Sequence, residues 1–593
     1  MIPSLTLKKP VLLLLAAVPL LATAVDYAAE GKLWWAHVQF LADDKLQGRN
    51  IGTDEFRQAV EYVSGQFQRL GLKPAGTAGY LQPVQFDTRQ LVQEESSLAL
   101  VRDGNVEPLT LGTDATLSAR AELAPKLEAP MVFVGYGLVI PEAHWDDLAG
   151  LDLKGKIAVY VSAPGPADAP AAVKSHLTSA AERWNVLHRA GAVGIATIAA
   201  GRGGAGRGGP PTDPAATDDT NPDAAAARGG RTSILPAQSN AAPAGRGAAN
   251  PGMAAATAGR GGAAGGGRGG RGAAPTFSLA DPTLSETSGM GVSITVTARG
   301  AEKFFAGSGH TFAEIQQLAR DNKPLPRFPL TASLRSQAVV KHEALESPNV
   351  VGMVPGHGKY KNEYVILSAH LDHLGVGRAV NGDNVYNGAM DNASGIATVI
   401  EVARLLKESK AKLNRSVIFL TVTAEEKGEL GSRYFAAHPT VPFKQIVADI
   451  NLDMFLPLFP LKVIEVQGLM ESTLGDTVKT AAAADGVAVE IDQEPDQNRF
   501  TRSDQYSFIR RGVPSLAFKF GYYPGSPDET TRKNWVRDRY HKPSDDLSQP
   551  VDTAAAAKFD RIILRLMEAV ANEPARPQWR QDSFFKRFAT AEK

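Results

Sequence analysis

From Asn349 onward, apolar runs of strand length alternate with helical stretches. The runs YVILSAH, SVIFLTVTAEE and IVADINLD each end on a histidine or a carboxylate. A strand that is apolar throughout must be covered on both faces. The helix SGIATVIEVARLLKE, a second near ELGSRYFAAH and a last one from about Thr553 to Asn572 supply that cover. The expected class is therefore α/β, with a mixed, mostly parallel central sheet flanked by helices. In such sheets, sites form beyond the carboxyl ends of the strands. His370, Glu425, Glu426 and Asp453 all fall at those ends, where an isolated charge is costly unless it has a partner.

Bulk properties narrow the chemistry. The chain has 593 residues, enough for two or three domains, and 63 basic residues balance 63 acidic ones. Zero net charge offers no general attraction to nucleic acid or to an acidic membrane surface. There is no cysteine, so disulfides and thiolate metal sites are excluded, and any metal must be held by nitrogen and oxygen. Lys8 and Lys9 precede an apolar run from Val11 to Leu21 and a small-x-small site at Ala22-Thr23-Ala24. Residues 1–24 therefore read as a signal peptide, too short to span a membrane comfortably. The mature chain is expected in the periplasm or the medium, with no stable membrane insertion.

Residues 25–110 read as an N-terminal segment of the main domain, largely helical from Tyr27 to about Phe86. Texture then changes to β-rich pieces such as MVFVGYGLVI and GKIAVYVSA, and a small β-dominated domain is expected over 111–335. Residues 201–275 interrupt it with Gly, Ala, Arg and Pro, too little apolar surface to offset the entropy of ordering. The RGG-like pieces lack aromatic residues for base stacking, which argues against nucleic-acid binding. The main domain resumes over 336–575, and 576–593 form a tail.

His370 and Asp372 lie two apart, so a continuing strand would put both on one face. Asp391 sits in a Gly- and Asn-rich loop before a helix, where Asn392 or Ser394 serves equally well as N-cap. The adjacent Glu425 and Glu426 repel one another unless a cation or a shared proton compensates. With a metal present, one ligates and the other accepts a proton. Asp453 and His541 are unremarkable singly, and His373 reads as a structural residue.

HLDH, GAMDNASG, TAEEKGELGS, NLDM and YHKPSDD, in this order, resemble the co-catalytic zinc exopeptidases of the MH clan. More closely they are similar to the family that holds secreted bacterial leucyl aminopeptidases, glutamate carboxypeptidase II and the transferrin receptor. LQGRNIGTDEFRQAVEYVSGQFQRLGLKPAG resembles that family's N-terminal segment, and FVGYGLVIPEAHWDDLAGLDLKGKIAVYV its inserted protease-associated domain. The resemblance implies a zinc-exopeptidase fold and two Zn²⁺ bridged by Asp391, one also held by His370 and Asp453, the other by Glu426 and His541. It implies Glu425 as general base and Asp372 as the carboxylate that orients His370. SDQYSFIRRGVPSLAF resembles a segment near the site, with no catalytic role for Ser503 or Asp504. The implied activity is a metallo-aminopeptidase acting on peptides with a free N-terminus, through a hydroxide shared by the two ions. A glutamate-carboxypeptidase-like or glutaminyl-cyclase-like relative, and a non-catalytic receptor-like binding protein, are the alternatives.

Overall fold

The computed structural model describes residues 25–199, except 164, 165, 167 and 168, together with residues 274–590. The expected signal peptide and residues 201–273 of the Gly/Ala/Arg-rich stretch lie outside the described residues.

Ten strands form the larger sheet. Its order is Thr276–Leu279, Leu81–Leu91, Val340–Val354, Ser416–Val422, Tyr364–His370, Ile446–Asn451, Ser515–Phe520, Val463–Gln467 and Ala488–Ile491, with Lys73–Pro74 pairing on Val340–Val354. The centre, from Ser416–Val422 to Ser515–Phe520, is parallel, and antiparallel strands flank it. Side chains of the central strands divide between two cores. Val365, Leu367, Val417 and Phe419 enter one, and Ile366, Ile418 and Leu420 enter the other. This is the period of two that a doubly covered strand requires.

On the first face, helices Tyr27–Leu41, Ser394–Ser409 and Thr553–Asn572 pack against one another and the sheet. Gly31 allows the close approach, because a Cβ there would lie 2.3 Å from the carbonyl oxygen of Thr553. Helix Asp54–Arg69 follows, with the Thr53 side chain accepting from the amide of Phe56 as its N-cap. The helical texture expected up to Phe86 stops earlier. Leu81–Leu91 is an eleven-residue strand, and the alternating Gln82, Val84 and Phe86 are buried, as is Leu91 at its end.

The smaller sheet has eight strands in the order Asn105–Leu109, Ser97–Arg102, Phe328–Gln337, Lys126–Phe133, Ile157–Ser162, Gly194–Ala199, Val292–Val296 and Ala115–Leu117. It begins before residue 111, and Thr276–Leu279 leaves it for the larger sheet. The C-terminal tail is packed: Trp579 and Phe585 form a buried cluster with Tyr506 and Ile509. The small unit also meets the 499–511 segment. The His176 imidazole bonds the Tyr506 hydroxyl, and Arg510 pairs with Glu182 and Glu286. No helix among the described residues is long and apolar enough to cross a membrane.

Candidate metal centre

The site lies beyond the carboxyl ends of the parallel strands. Tyr364–His370 delivers His370 as its last residue. Ser416–Val422 leads to Glu425 and Glu426, and Ile446–Asn451 to Asp453. Asp391 comes from the tight turn Ala389–Ala393 before helix Ser394–Ser409. His541 comes from the loop after helix Pro527–Asp538. Residues spread over 172 positions of sequence thus converge, because the sheet places three strand ends side by side and a turn and a loop bring Asp391 and His541 to them.

Asp391 stands between two half-sites. Its Oδ1 is 3.2 Å from His370 Nε2, which is 3.4 Å from Asp453 Oδ1. Its Oδ2 is 3.2 Å from His541 Nε2, which is 3.3 Å from Glu426 Oε2. Donors bound to one tetrahedral ion at about 2.0–2.1 Å lie about 3.3 Å apart. Both half-sites therefore have the spacing of a divalent-cation shell built from nitrogen and oxygen, with Asp391 common to the two. The bland role of its loop falls on its neighbour, since Asn392 Oδ1 accepts from the amide of Gly395 at 3.0 Å and leaves Asp391 to face the histidines.

The electrostatics show the same demand for cations. Burial and nearby carboxylates, Asp453 and Glu426 among them, hold the carboxyl of Glu425 well above its ordinary range. Burial and surrounding charge push Asp504, behind the site, up to about 7. Burial opposes the charge on Asp391, yet hydrogen bonding to His370 and the nearby imidazoles keep it well below the usual carboxylate range. A crowd of buried carboxylates is stable only if a cation enters it or some of its members take up protons.

Asp372 corrects an expectation. The strand stops at His370. His370 Nδ1 donates to the backbone carbonyl of Asp372 at 3.1 Å, and that carbonyl, not the carboxylate, orients the ring. The carboxylate instead accepts from the amides of Glu425 at 3.0 Å and Glu426 at 3.3 Å. Asp372 fixes the turn that presents both glutamates.

Three supporting residues were not singled out from the sequence. Arg49, fully buried, donates to the carbonyls of Leu371 at 3.0 Å, Asn387 at 2.6 Å and Gly388 at 3.0 Å, and also to that of Leu41. It ties the His370 and Asp391 segments together from beneath. Burial lowers its pKa to about 10, which leaves it charged at neutral pH. Asp545 accepts from the amides of Met390 at 2.9 Å and Asp391 at 3.0 Å. Lys519 donates to the carbonyl of Asp453 at 2.9 Å. The only sequence signals were the Gly48–Gly52 spacing around Arg49 and the SDD that follows His541. Ser503, which received no role, bonds Asn451.

Backbone geometry is concentrated here as well. Arg49, Ala424, Met454 and His541 have φ of 49°, 59°, 46° and 52°. Left-handed backbone costs a non-glycine residue roughly 1–2 kcal/mol, and it persists where surrounding structure holds a functional geometry. A third cluster, Asp87, Glu122 and His342, is different in kind. Arg89 already pairs with Asp87 at 2.6 Å and Glu122 at 2.8 Å, so this largely exposed group needs no ion.

Comparison with known proteins finds a family match over this part of the chain. The model of "Peptidase family M28" matches residues 349–567, a span that holds His370, Asp391, Glu425, Glu426, Asp453 and His541. Leupeptin-inactivating enzyme 1 of Streptomyces exfoliatus is 27% identical over 227 residues, covering 36% of this chain and 47% of that protein. Carboxypeptidase Q of Xenopus laevis is 31% identical over 121 residues, covering 20% of this chain and 24% of that protein. The chain thus spans less than half the length of these curated relatives. A solved aminopeptidase from Aneurinibacillus sp. strain AM-1 superposes with a TM-score of 0.48 at 17% identity, covering 92% of this chain and 95% of that one. Residues 349–567, which carry the whole donor set, match the model of Peptidase family M28.

Proposed function

We propose that the protein is an exported zinc exopeptidase that removes N-terminal residues from peptides. Its two zinc ions would be held by His370, Asp391 and Asp453 and by Asp391, Glu426 and His541. The observation that carries this reading is the pair of half-sites with donor separations of 3.2–3.4 Å that share Asp391. Zinc bound there supplies Lewis acidity that polarises a scissile carbonyl and acidifies a water. Glu425 takes the proton of the attacking water and passes it to the leaving amine, as a general acid–base group must. Asp372 keeps that carboxylate in place through the Glu425 amide. The Lys8–Ala24 stretch supports action in the periplasm or the medium, and the eight-stranded unit is read as the protease-associated-like domain.

Charge around the site favours recognition of a free amine over a free carboxylate. Glu425 is only partly exposed, and Asp453 and Glu426 crowd it with like charge. An ammonium arriving beside it relieves that repulsion, whereas a carboxylate adds to it. Arg49 and Lys519, the cations described above, are directed at backbone carbonyls. A peptide with free termini and its C-terminally amidated form should both be trimmed from the N-terminus, and the N-acetylated form should resist. Mass spectrometry of the products checks this, and trimming that survives acetylation would defeat the aminopeptidase assignment.

A further inference from the structure

His373 follows the HLD triplet directly and is fully buried. Its Nδ1 lies 2.6 Å from Glu426 Oε1 and 3.9 Å from Asp391 Oδ2. Histidine, aspartate and glutamate in that arrangement look like a third way of holding an ion, in competition with His541. The distances decide between the two. Two donors on one tetrahedral ion lie about 3.3 Å apart, as His541 does from both Asp391 and Glu426. A separation of 2.6 Å is too short for two ligands of one ion and is the length of a strong, charge-assisted hydrogen bond.

The two oxygens of Glu426 are therefore divided: Oε2 faces His541 and Asp391, while Oε1 faces His373. The ring is held for this purpose. The His373 amide donates to the carbonyl of Arg49 at 3.3 Å. Gly388 lies against the ring so closely that a Cβ there would meet its carbons at 2.6 Å. Nε2 is buried with no hydrogen-bonding partner, so Glu426 is the group to which this imidazole is directed.

We propose that His373 is a positioning residue, not a ligand: by donating from Nδ1 to Oε1 it holds Glu426 to one-oxygen coordination through Oε2. This rests on the two-ion reading and deepens it. Because only the Nδ1 side bonds, an asparagine, whose amide nitrogen occupies the Nδ1 position, should substitute for it. Glutamine, which imitates Nε2, should not.

The test is metal affinity, measured by chelator competition on the full chain. Cobalt(II) spectra of the same samples report coordination. His373→Ala and His373→Gln should bind two ions at saturation, with the affinity of one site about 10–100-fold weaker, the usual effect of losing a ligand's orienting partner. Their cobalt absorption should weaken as Glu426 becomes bidentate. His373→Asn should keep the wild-type affinity and its spectrum. His541→Ala should lose the second ion outright. Loss of an ion at saturating metal in a folded His373→Ala, or unchanged affinity and spectrum in it, would overturn the proposal. If His373→Ala does not fold, failure of folded His373→Asn to keep wild-type affinity and spectrum overturns it equally. A wild type that binds no metal would instead overturn the two-ion reading itself.

Discussion

Glu425→Gln should lower turnover by about 10²–10⁴-fold, the usual share of a positioned general base, while zinc content stays at the wild-type level. The separation follows from the geometry. Glu425 belongs to neither half-site, whereas its neighbour Glu426 faces His541 at 3.3 Å. Its amide is held by Asp372 at 3.0 Å, so the amide side chain of glutamine enters the same place without a proton-accepting carboxylate. It also removes one charge from a crowded acidic site, which should leave thermal stability equal or raised. Steady-state kinetics on a free-amine peptide, paired with elemental analysis of the same sample, checks both halves. Undiminished turnover would remove Glu425 from the base role, and loss of zinc would make it a ligand.

Asp391→Ala should have the larger effect on metal. The Asp391 carboxylate is the one group common to both half-sites, with Oδ1 at 3.2 Å from His370 and Oδ2 at 3.2 Å from His541. Removing it should weaken both ions far beyond the about 10–100-fold expected from loss of an orienting neighbour, and activity should fall to background. Asp453→Ala, by contrast, should weaken only the ion shared with His370. Zinc titration followed by calorimetry distinguishes the outcomes. An Asp391→Ala protein that loses one ion and keeps the other tightly bound would show that the carboxylate does not bridge.

How much of this was legible in the sequence depends on how local each cause is. Strands that are apolar throughout, with charged residues at their carboxyl ends, announced the covered sheet and the place of the site, because burial on both faces leaves its mark residue by residue. The roles of individual side chains were less legible. The Asp372 carboxylate was expected to serve His370, two residues away, but its partners are the amides of Glu425 and Glu426, more than fifty positions later. His373 read as structural because its partner, Glu426, is equally distant in sequence. Arg49 joins segments that lie over 300 positions away, and no periodicity encodes a guanidinium whose acceptors are backbone carbonyls. The helical reading that ran to Phe86 failed where the QPVQFDT alternation of period two took over.

The most direct test of the account is the zinc content of the purified full chain after equilibration with zinc and removal of free metal. Elemental analysis should give two zinc ions per chain, one for each half-site on Asp391. One ion, or none, would contradict it.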